Sequence, residues 1–121
     1  MYRTLVADDD FLVRSYLKTL DSWEKAGYEI VDDAEDGEEA YGFLQKEKID
    51  VLVTDLTMPV MDGIQATEKI RTISLSVPII AVTAYAFYTE QQQAIQAGCN
   101  AVISKPYSLE KLKETIETYI G

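Results

Sequence analysis

Five short runs of apolar and β-branched residues recur along this chain, and amphipathic stretches separate them. The runs are RTLVA (3–7), EIVDDA (29–34), DVLVT (50–54), PIIAVTA (78–84) and NAVIS (100–104). Short runs of this kind are typical of β-strands, whereas apolar residues spaced three and four apart are typical of helices. The last stretch has the clearest helical stripe, formed by Leu109, Leu112, Ile116 and Tyr119. This alternation predicts an α/β fold.

The apolar runs also indicate how the strands are arranged. Consecutive apolar positions suit strands of a parallel sheet that is covered by helices on both sides. Right-handed crossovers then favour a doubly wound sheet. We predict five strands and five helices, the first helix carrying Val13, Leu17 and Leu20. The 121 residues fit one domain, so we expect residues 1–121 to form a single domain whose last helix ends near Gly121.

Charge and missing residue types exclude several functions. The net charge of −10 opposes phosphate backbones, so we expect no direct binding of nucleic acid. The chain has no histidine and no GxxxxGK[ST] loop, which excludes histidine-based catalysis and phosphate-loop ATP binding. One cysteine, no signal segment and no apolar run of about 20 residues predict a cytoplasmic protein without a membrane span.

Polar residues stand at the ends of four predicted strands. Asp8 and Asp9 follow the first strand, Asp55 ends the third, and Thr83 and Lys105 come at the ends of the fourth and fifth. In a doubly wound sheet the ligand crevice lies outside the carboxyl ends of the strands. We therefore expect these five side chains to line one crevice.

Carboxylates held this close together repel one another and raise one another's pKa, so the metal-free protein should be destabilised locally. Oxygen ligands beside hydrated positions suit Mg²⁺. An aspartate neutralised in this way can attack a phosphoryl group, while a lysine and a hydroxyl stabilise the transferring charge. Each residue alone has an ordinary explanation as a cap, turn, strand or surface residue, and Asp10 is a candidate helix cap. Their joint placement favours a phosphoryl-transfer site.

Four segments together resemble the receiver (CheY-like) domain of two-component response regulators. They are LVADDD (5–10), VTDLTMPVMDG (53–63), VTAYA (82–86) and SKPYS (104–108). The resemblance covers the whole chain and implies that residues 1–121 are a receiver domain. It also implies a flavodoxin-like fold, a five-stranded sheet in the order 2-1-3-4-5.

The resemblance implies a role for each candidate residue. Asp55 would be the phosphoacceptor, with Thr83 as the switch hydroxyl and Lys105 as the phosphate-contacting lysine. The implied Mg²⁺ ligands are Asp8, Asp9, Asp55 and the backbone carbonyl of Thr57. In the loop between them, Asp62 would cap the third helix and Gly63 would give the turn conformational freedom. The family's commonly cis Lys-Pro bond corresponds to Lys105-Pro106.

The implied function is a phosphorylation-activated signalling switch. Its phosphoryl donor would be a sensor histidine kinase or a small acyl phosphate, and its only chemistry would be autocatalytic phosphoryl acceptance with slow self-dephosphorylation. Phosphorylation would change the output surface and promote a homodimer. The segment SWEKAGYEIV (22–31) resembles receivers fused to an AraC-type DNA-binding domain, which implies transcription regulation through an output domain.

One residue departs from the family pattern. Family members usually carry Tyr or Phe three residues before the lysine, where this chain has Val102. The usual rotation of an aromatic ring cannot occur, although Tyr85 and Tyr107 flank the same region.

Three alternatives remain open at this stage. A stand-alone receiver could act by protein–protein interaction or in a phosphorelay. A receiver-shaped binding module could work without phosphorylation, although the intact acidic residues, Thr83 and Lys105 argue against this. An aspartyl-nucleophile phosphatase of the haloacid dehalogenase type needs a second aspartate two residues after the nucleophile, and this chain has Thr57 there.

Overall fold

A computed structural model describes residues 1–84 and 87–120. Its five strands are β1 (Tyr2–Ala7), β2 (Tyr28–Ala34), β3 (Val51–Asp55), β4 (Ile79–Thr83) and β5 (Ala101–Ser104). All neighbouring strands are parallel, and their order is β2-β1-β3-β4-β5. The predicted doubly wound, flavodoxin-like sheet is confirmed, including the order 2-1-3-4-5.

Six helices cover the sheet within the described residues, one more than predicted. They are α1 (Phe11–Lys18), α2 (Asp21–Lys25), α3 (Gly37–Lys46), α4 (Gly63–Ile70), α5 (Tyr88–Ala97) and α6 (Leu109–Ile120). The predicted end of the last helix, near Gly121, lies outside the described residues. The described helices include none long and apolar enough to cross a membrane.

The extra helix arises because the predicted first helix divides at Leu20. Leu20 has extended backbone angles (φ −82°, ψ 115°) and caps α2, and its side chain packs on the core. The preceding Thr19 donates its hydroxyl to the carbonyl oxygen of Tyr16 at 2.8 Å. Such local bonds compete with helix continuation. Trp23, which is 3% exposed, lies in α2 and packs on the core.

The core has two layers because side chains alternate across each central strand. Leu5, Leu52 and Ile79 point to the side that includes Ala40 of α3, Ile70 of α4 and Ala94 of α5. Val6, Val53 and Ile80 point to the other side, with Leu17 of α1, Trp23 of α2 and Leu112 and Ile116 of α6. β3 and β4 are buried along their whole length. This central position holds the ends of β3 and β4 rigidly.

The β3–α4 loop returns the chain to α4 through a capping box. Asp62 accepts a hydrogen bond from the Gln65 amide at 2.8 Å, and the Gln65 side chain accepts one from the Asp62 amide at 3.1 Å. The predicted cap at Asp62 is confirmed. Earlier in the loop, Val60 has a φ of 65°, a conformation that β-branched residues rarely adopt.

Candidate functional site

The predicted site residues lie at neighbouring strand ends. Asp8 directly follows β1, Asp55 is the last residue of β3, Thr83 is the last residue of β4, and Lys105 directly follows β5. The sheet order places β1 and β4 on either side of β3. Asp55 is therefore at the centre of the crevice.

The three carboxylates form one cluster. Ligand oxygens of Asp8, Asp9 and Asp55 all lie within 4.8 Å of one another. Asp8 is 5% exposed and Asp55 is 7% exposed, whereas Asp9 faces solvent. Asp8 Oδ1 accepts a hydrogen bond from the Asp10 amide at 2.9 Å, and Asp55 Oδ1 accepts one from the Thr57 amide at 3.3 Å. These bonds orient two of the three carboxylates.

The Lys105 ammonium lies between the two buried carboxylates. Its Nζ is 3.1 Å from Asp55 Oδ2 and 3.6 Å from Asp8 Oδ2. The Lys105 amide also donates to the Thr83 carbonyl at 2.7 Å, and the Lys105-Pro106 peptide bond is cis as expected. Lys105 therefore compensates part of the repulsion among the carboxylates without metal, a contact that strand-end placement alone does not predict.

The electrostatic environment changes two pKa values in a consistent way. Burial raises the pKa of Asp8 above its ordinary value; the Asp55 and Asp9 charges add to this rise, while the Asp10 amide and Lys105 oppose it. Burial acts to lower the pKa of Lys105, but the hydrogen bond and charge of Asp55 and the charge of Asp8 outweigh it, and the pKa rises. Lys105 therefore stays protonated at neutral pH.

The three carboxylates form an oxygen ligand set that fits Mg²⁺, and the Lys105 ammonium compensates part of their charge. Three carboxylates against one ammonium leave two uncompensated negative charges. The ligand atoms are hard oxygens, and the solvent-facing Asp9 leaves one side accessible to water. Mg²⁺ prefers a few carboxylates and keeps several waters. Asp8, Asp9 and Asp55 could hold such an ion.

Gly63 allows the close packing behind Asp55. A Cβ atom at Gly63 would lie 2.5 Å from the Asp55 carbonyl oxygen and 2.9 Å from the Leu56 Cα. Its φ is not positive, so the predicted role of Gly63 as a flexible turn residue is wrong. The glycine is needed because α4 begins directly against the backbone of the candidate acceptor.

Thr83 is held by Glu90, a residue that the sequence pattern does not mark as part of the site. Its hydroxyl donates a 2.5 Å hydrogen bond to Glu90 Oε1 in the first turn of α5. Thr83 itself is 1% exposed. The hydroxyl thus reaches towards α5, whereas the Lys105 ammonium reaches towards Asp55.

Arg14 was also missed. Its side chain is buried in α1, where Nη1 donates to the Asp8 carbonyl at 2.6 Å and Nε pairs with Asp33 Oδ2 at 2.7 Å. It therefore ties the end of β1 to the end of β2. One sequence signal was available, because Arg14 interrupts the apolar pattern of α1 and Asp33 is an acidic residue within a strand run.

The remaining predicted features of this region have structural roles. Asp10 caps α1 by accepting from the Leu12 amide at 2.9 Å. Val102 is half-buried and packs on the core, and Tyr107 packs on the opposite core layer. Burial raises the pKa of Tyr107. Tyr85 lies outside the described residues.

Comparison with known proteins gives one consistent family. The family model for the response regulator receiver domain matches residues 4–117. The sensor histidine kinase RcsC of Escherichia coli (strain K12) is 37% identical over 115 residues, which are 95% of this chain and 12% of RcsC. The transcriptional regulatory protein PdtaR of Mycobacterium tuberculosis (strain H37Rv) is 36% identical over 119 residues, 98% of this chain and 57% of PdtaR.

Solved structures share the fold. A chain of the CheX–CheY–BeF3–Mg²⁺ complex from Borrelia burgdorferi superposes with a TM-score of 0.88 at 25% identity, covering 99% of this chain and 90% of that one. The chain spans 12% of the length of RcsC and 57% of the length of PdtaR, so these two relatives contain further segments that it does not match.

Proposed function

This chain belongs to the response regulator receiver domain family, and we propose that it is a phosphorylation-activated switch whose phosphoacceptor is Asp55. Receiver domains are signalling switches of two-component systems rather than classical enzymes. One observation carries the assignment: three carboxylates lie together at the centre of the sheet's carboxyl edge, and an ammonium contacts two of them.

Asp55 is the best-supported acceptor of the three. It lies on the central strand, and its backbone is fixed by β3 and by the close approach of Gly63. The Lys105 ammonium is also closer to Asp55 than it is to Asp8. A carboxylate oxygen of Asp55 would form a bond to phosphorus. The donor's phosphorus–nitrogen bond, or its phosphorus–oxygen bond in an acyl phosphate, would break at the same time, and the electron pair would leave with the donor atom.

Asp8, Asp9, Asp55 and the Thr57 carbonyl are the groups that we propose hold Mg²⁺. When bound, this ion supplies positive charge that offsets the negative charge of the acceptor and the phosphoryl oxygens. The Borrelia complex contains BeF3 and Mg²⁺, which supports a metal-dependent reaction in a protein of the same fold. Lys105 would contact a phosphoryl oxygen, and Thr83 would donate a hydrogen bond to another.

The partners are proposed from the relatives. The likeness to a segment of the sensor histidine kinase RcsC supports a histidine kinase or a phosphorelay protein as donor. The likeness to PdtaR supports transcription regulation as the output. A phosphorylation-dependent homodimer would connect phosphorylation to that output. We propose that residues 1–121 act as the receiver unit of a cytoplasmic regulator, with no direct contact to nucleic acid because of the acidic charge.

Intact-mass measurement tests the proposal. Incubated with Mg²⁺ and acetyl phosphate, the wild type should gain one phosphoryl group, and Asp55→Asn should gain none. Asp36→Asn is the matched control: Asp36 caps α3 in a second acidic cluster with Glu35 and Glu39, and Asn preserves the cap. Labelling of Asp55→Asn to the same extent as this control would remove Asp55 from the acceptor role.

A further inference from the structure

The Thr83 hydroxyl donates its one hydrogen bond to the Glu90 carboxylate. Thr83 is buried at the end of β4, where its carbonyl accepts from the Lys105 amide at 2.7 Å and its backbone pairs with Ser104. The backbone is therefore fixed on the β5 side. Only rotation of the side chain can redirect the hydroxyl.

Glu90 links this hydroxyl to a lightly anchored helix. It stands in the first turn of α5. Among the described side chains of α5, Ala94 alone is buried. Segments with few buried apolar contacts open at low free-energy cost, so one short bond at the start of α5 has a large influence on that turn.

A threonine hydroxyl has one proton and can donate it to one acceptor at a time. We infer that Glu90 is a positioning residue that accepts the Thr83 hydrogen bond in the unphosphorylated state. It loses this bond when the hydroxyl turns and donates instead to an oxygen of a phosphoryl group on Asp55. This inference rests on the proposed function of Asp55. The freed Glu90 carboxylate then no longer ties the first turn of α5 to β4, which transmits phosphorylation to that helix.

The link through Glu90 differs from the family's usual link, in which an aromatic ring at the position of Val102 rotates. Val102, half-buried against the core, has neither a ring nor a polar atom that could follow the hydroxyl. Glu90, in contrast, is half-buried and already bonded to it. The Thr83–Glu90 contact also slows phosphorylation, because the hydroxyl must leave Glu90 before it can stabilise the phosphoryl group that is being transferred to Asp55.

Two measurements test the inference on the whole chain. The first is the rate of phosphoryl gain from acetyl phosphate with Mg²⁺, by intact mass. The second is hydrogen–deuterium exchange of the α5 amides from residue 91 to residue 93, with and without beryllofluoride and Mg²⁺. In the wild type, beryllofluoride should speed exchange at these amides.

Three substitutions separate the contact from the charge. Glu90→Ala removes the acceptor. Glu90→Asp keeps the charge, which is favourable at a helix start, but shortens the side chain by about 1.5 Å. Glu90→Gln keeps the length and an acceptor oxygen. We expect Ala and Asp to raise the phosphorylation rate about five-fold, the factor that one ordinary hydrogen bond supplies, and to show fast exchange without beryllofluoride.

Gln should behave as the wild type, and so should the control Glu110→Ala, which removes an exposed acidic residue from the first turn of α6. Should Glu90→Ala fail to fold, the Asp and Gln pair decides. Wild-type behaviour of Glu90→Asp, or equal effects of Gln and Asp, would overturn the inference. A wild type that gains no phosphoryl group would instead refute the proposed function of Asp55.

Discussion

At the scale of single residues, Asp33 shows how a partly buried charge is accommodated next to the site. Its carboxylate accepts from Arg14 at 2.7 Å and from Lys18 at 2.9 Å. Burial acts to raise the pKa of Asp33, but the two cations outweigh it and lower the pKa below its ordinary value. Because Arg14 also holds the Asp8 carbonyl, this ion pair supports the geometry of the acidic pocket.

The pKa shift of Asp33 predicts a pH dependence. A carboxyl group with a lowered folded-state pKa stabilises fully above its unfolded value of about 3.9 and loses this effect as pH falls through the folded value. Asp33→Asn should lower the free energy of unfolding by about 2 kcal/mol at pH 7, because the buried Arg14 is left without its counter-charge. The deficit should shrink below about pH 4.

Urea unfolding of wild type and Asp33→Asn between pH 7 and pH 3 measures this deficit. Asp32→Asn is the neighbouring control, since Asn can still accept the bond that Asp32 Oδ1 receives from the Asp33 amide. A deficit of the same size at every pH would show that the loss comes from packing rather than from charge.

At the scale of elements, the β3–α4 loop contains a strained residue. Val60 has a φ of 65° and is 77% exposed, so it gains little from burial to offset that conformation. Asn adopts this region far more readily. Val60→Asn should raise the free energy of unfolding by about 1 kcal/mol. Leu75→Asn, at an exposed position without positive φ, is the control and should change it by less than about 0.5 kcal/mol in urea unfolding.

Glycines at two helix positions should respond to alanine with opposite signs. At Gly63 the new Cβ would lie 2.5 Å from the Asp55 carbonyl oxygen. At Gly42 in α3 the described residues place no atom outside the adjoining backbone within 4 Å of it. Gly63→Ala should cost about 3 kcal/mol through overpacking and slow phosphorylation of Asp55. Gly42→Ala should add about 0.5–1 kcal/mol through helix propensity. Thermal melts with intact-mass assays measure both, and a stabilised Gly63→Ala would contradict the close approach.

At the scale of the whole molecule, the parts that the sequence predicts are those set by simple periodicity. Strand runs identify the sheet, and parallel strands bring Asp8, Asp55 and Lys105 to one edge without knowledge of any side-chain contact. Contacts that depend on rotamers were not predictable in this way. Glu90 meets Thr83 seven residues away, across the β4–α5 connection, and the break at Leu20 comes from a local hydroxyl bond and from packing.

The contacts of Lys105 decide which aspartate should be substituted to test whether the carboxylate cluster binds Mg²⁺. Removing Asp55 would relieve repulsion but would also take a partner from Lys105, so the effect on metal-free stability has two opposing parts. Asp9 is a cleaner choice. Within residues 1–84 and 87–120 it forms no ion pair, yet its carboxylate lies in the same cluster.

Mg²⁺ should stabilise the folded protein by mass action, because folding alone brings the three carboxylates together. The gain is RT ln(1 + [L]/Kd), or about 1.4 kcal/mol when free Mg²⁺ is ~10 times Kd, which is several degrees in Tm for a domain of this size. Asp9→Asn should melt in EDTA within about two degrees of wild type, because the Lys105 pairs remain and the side chain is exposed. It should lose most of the Mg²⁺ gain, because one ligand and one negative charge are absent. Melts in EDTA and in increasing Mg²⁺ measure both quantities, with Asp36→Asn as the control from the second acidic cluster. A wild-type Tm that does not change in millimolar Mg²⁺ would mean that the three carboxylates do not bind one ion. So would a Mg²⁺-dependent gain in Tm that is equal in wild type and Asp9→Asn.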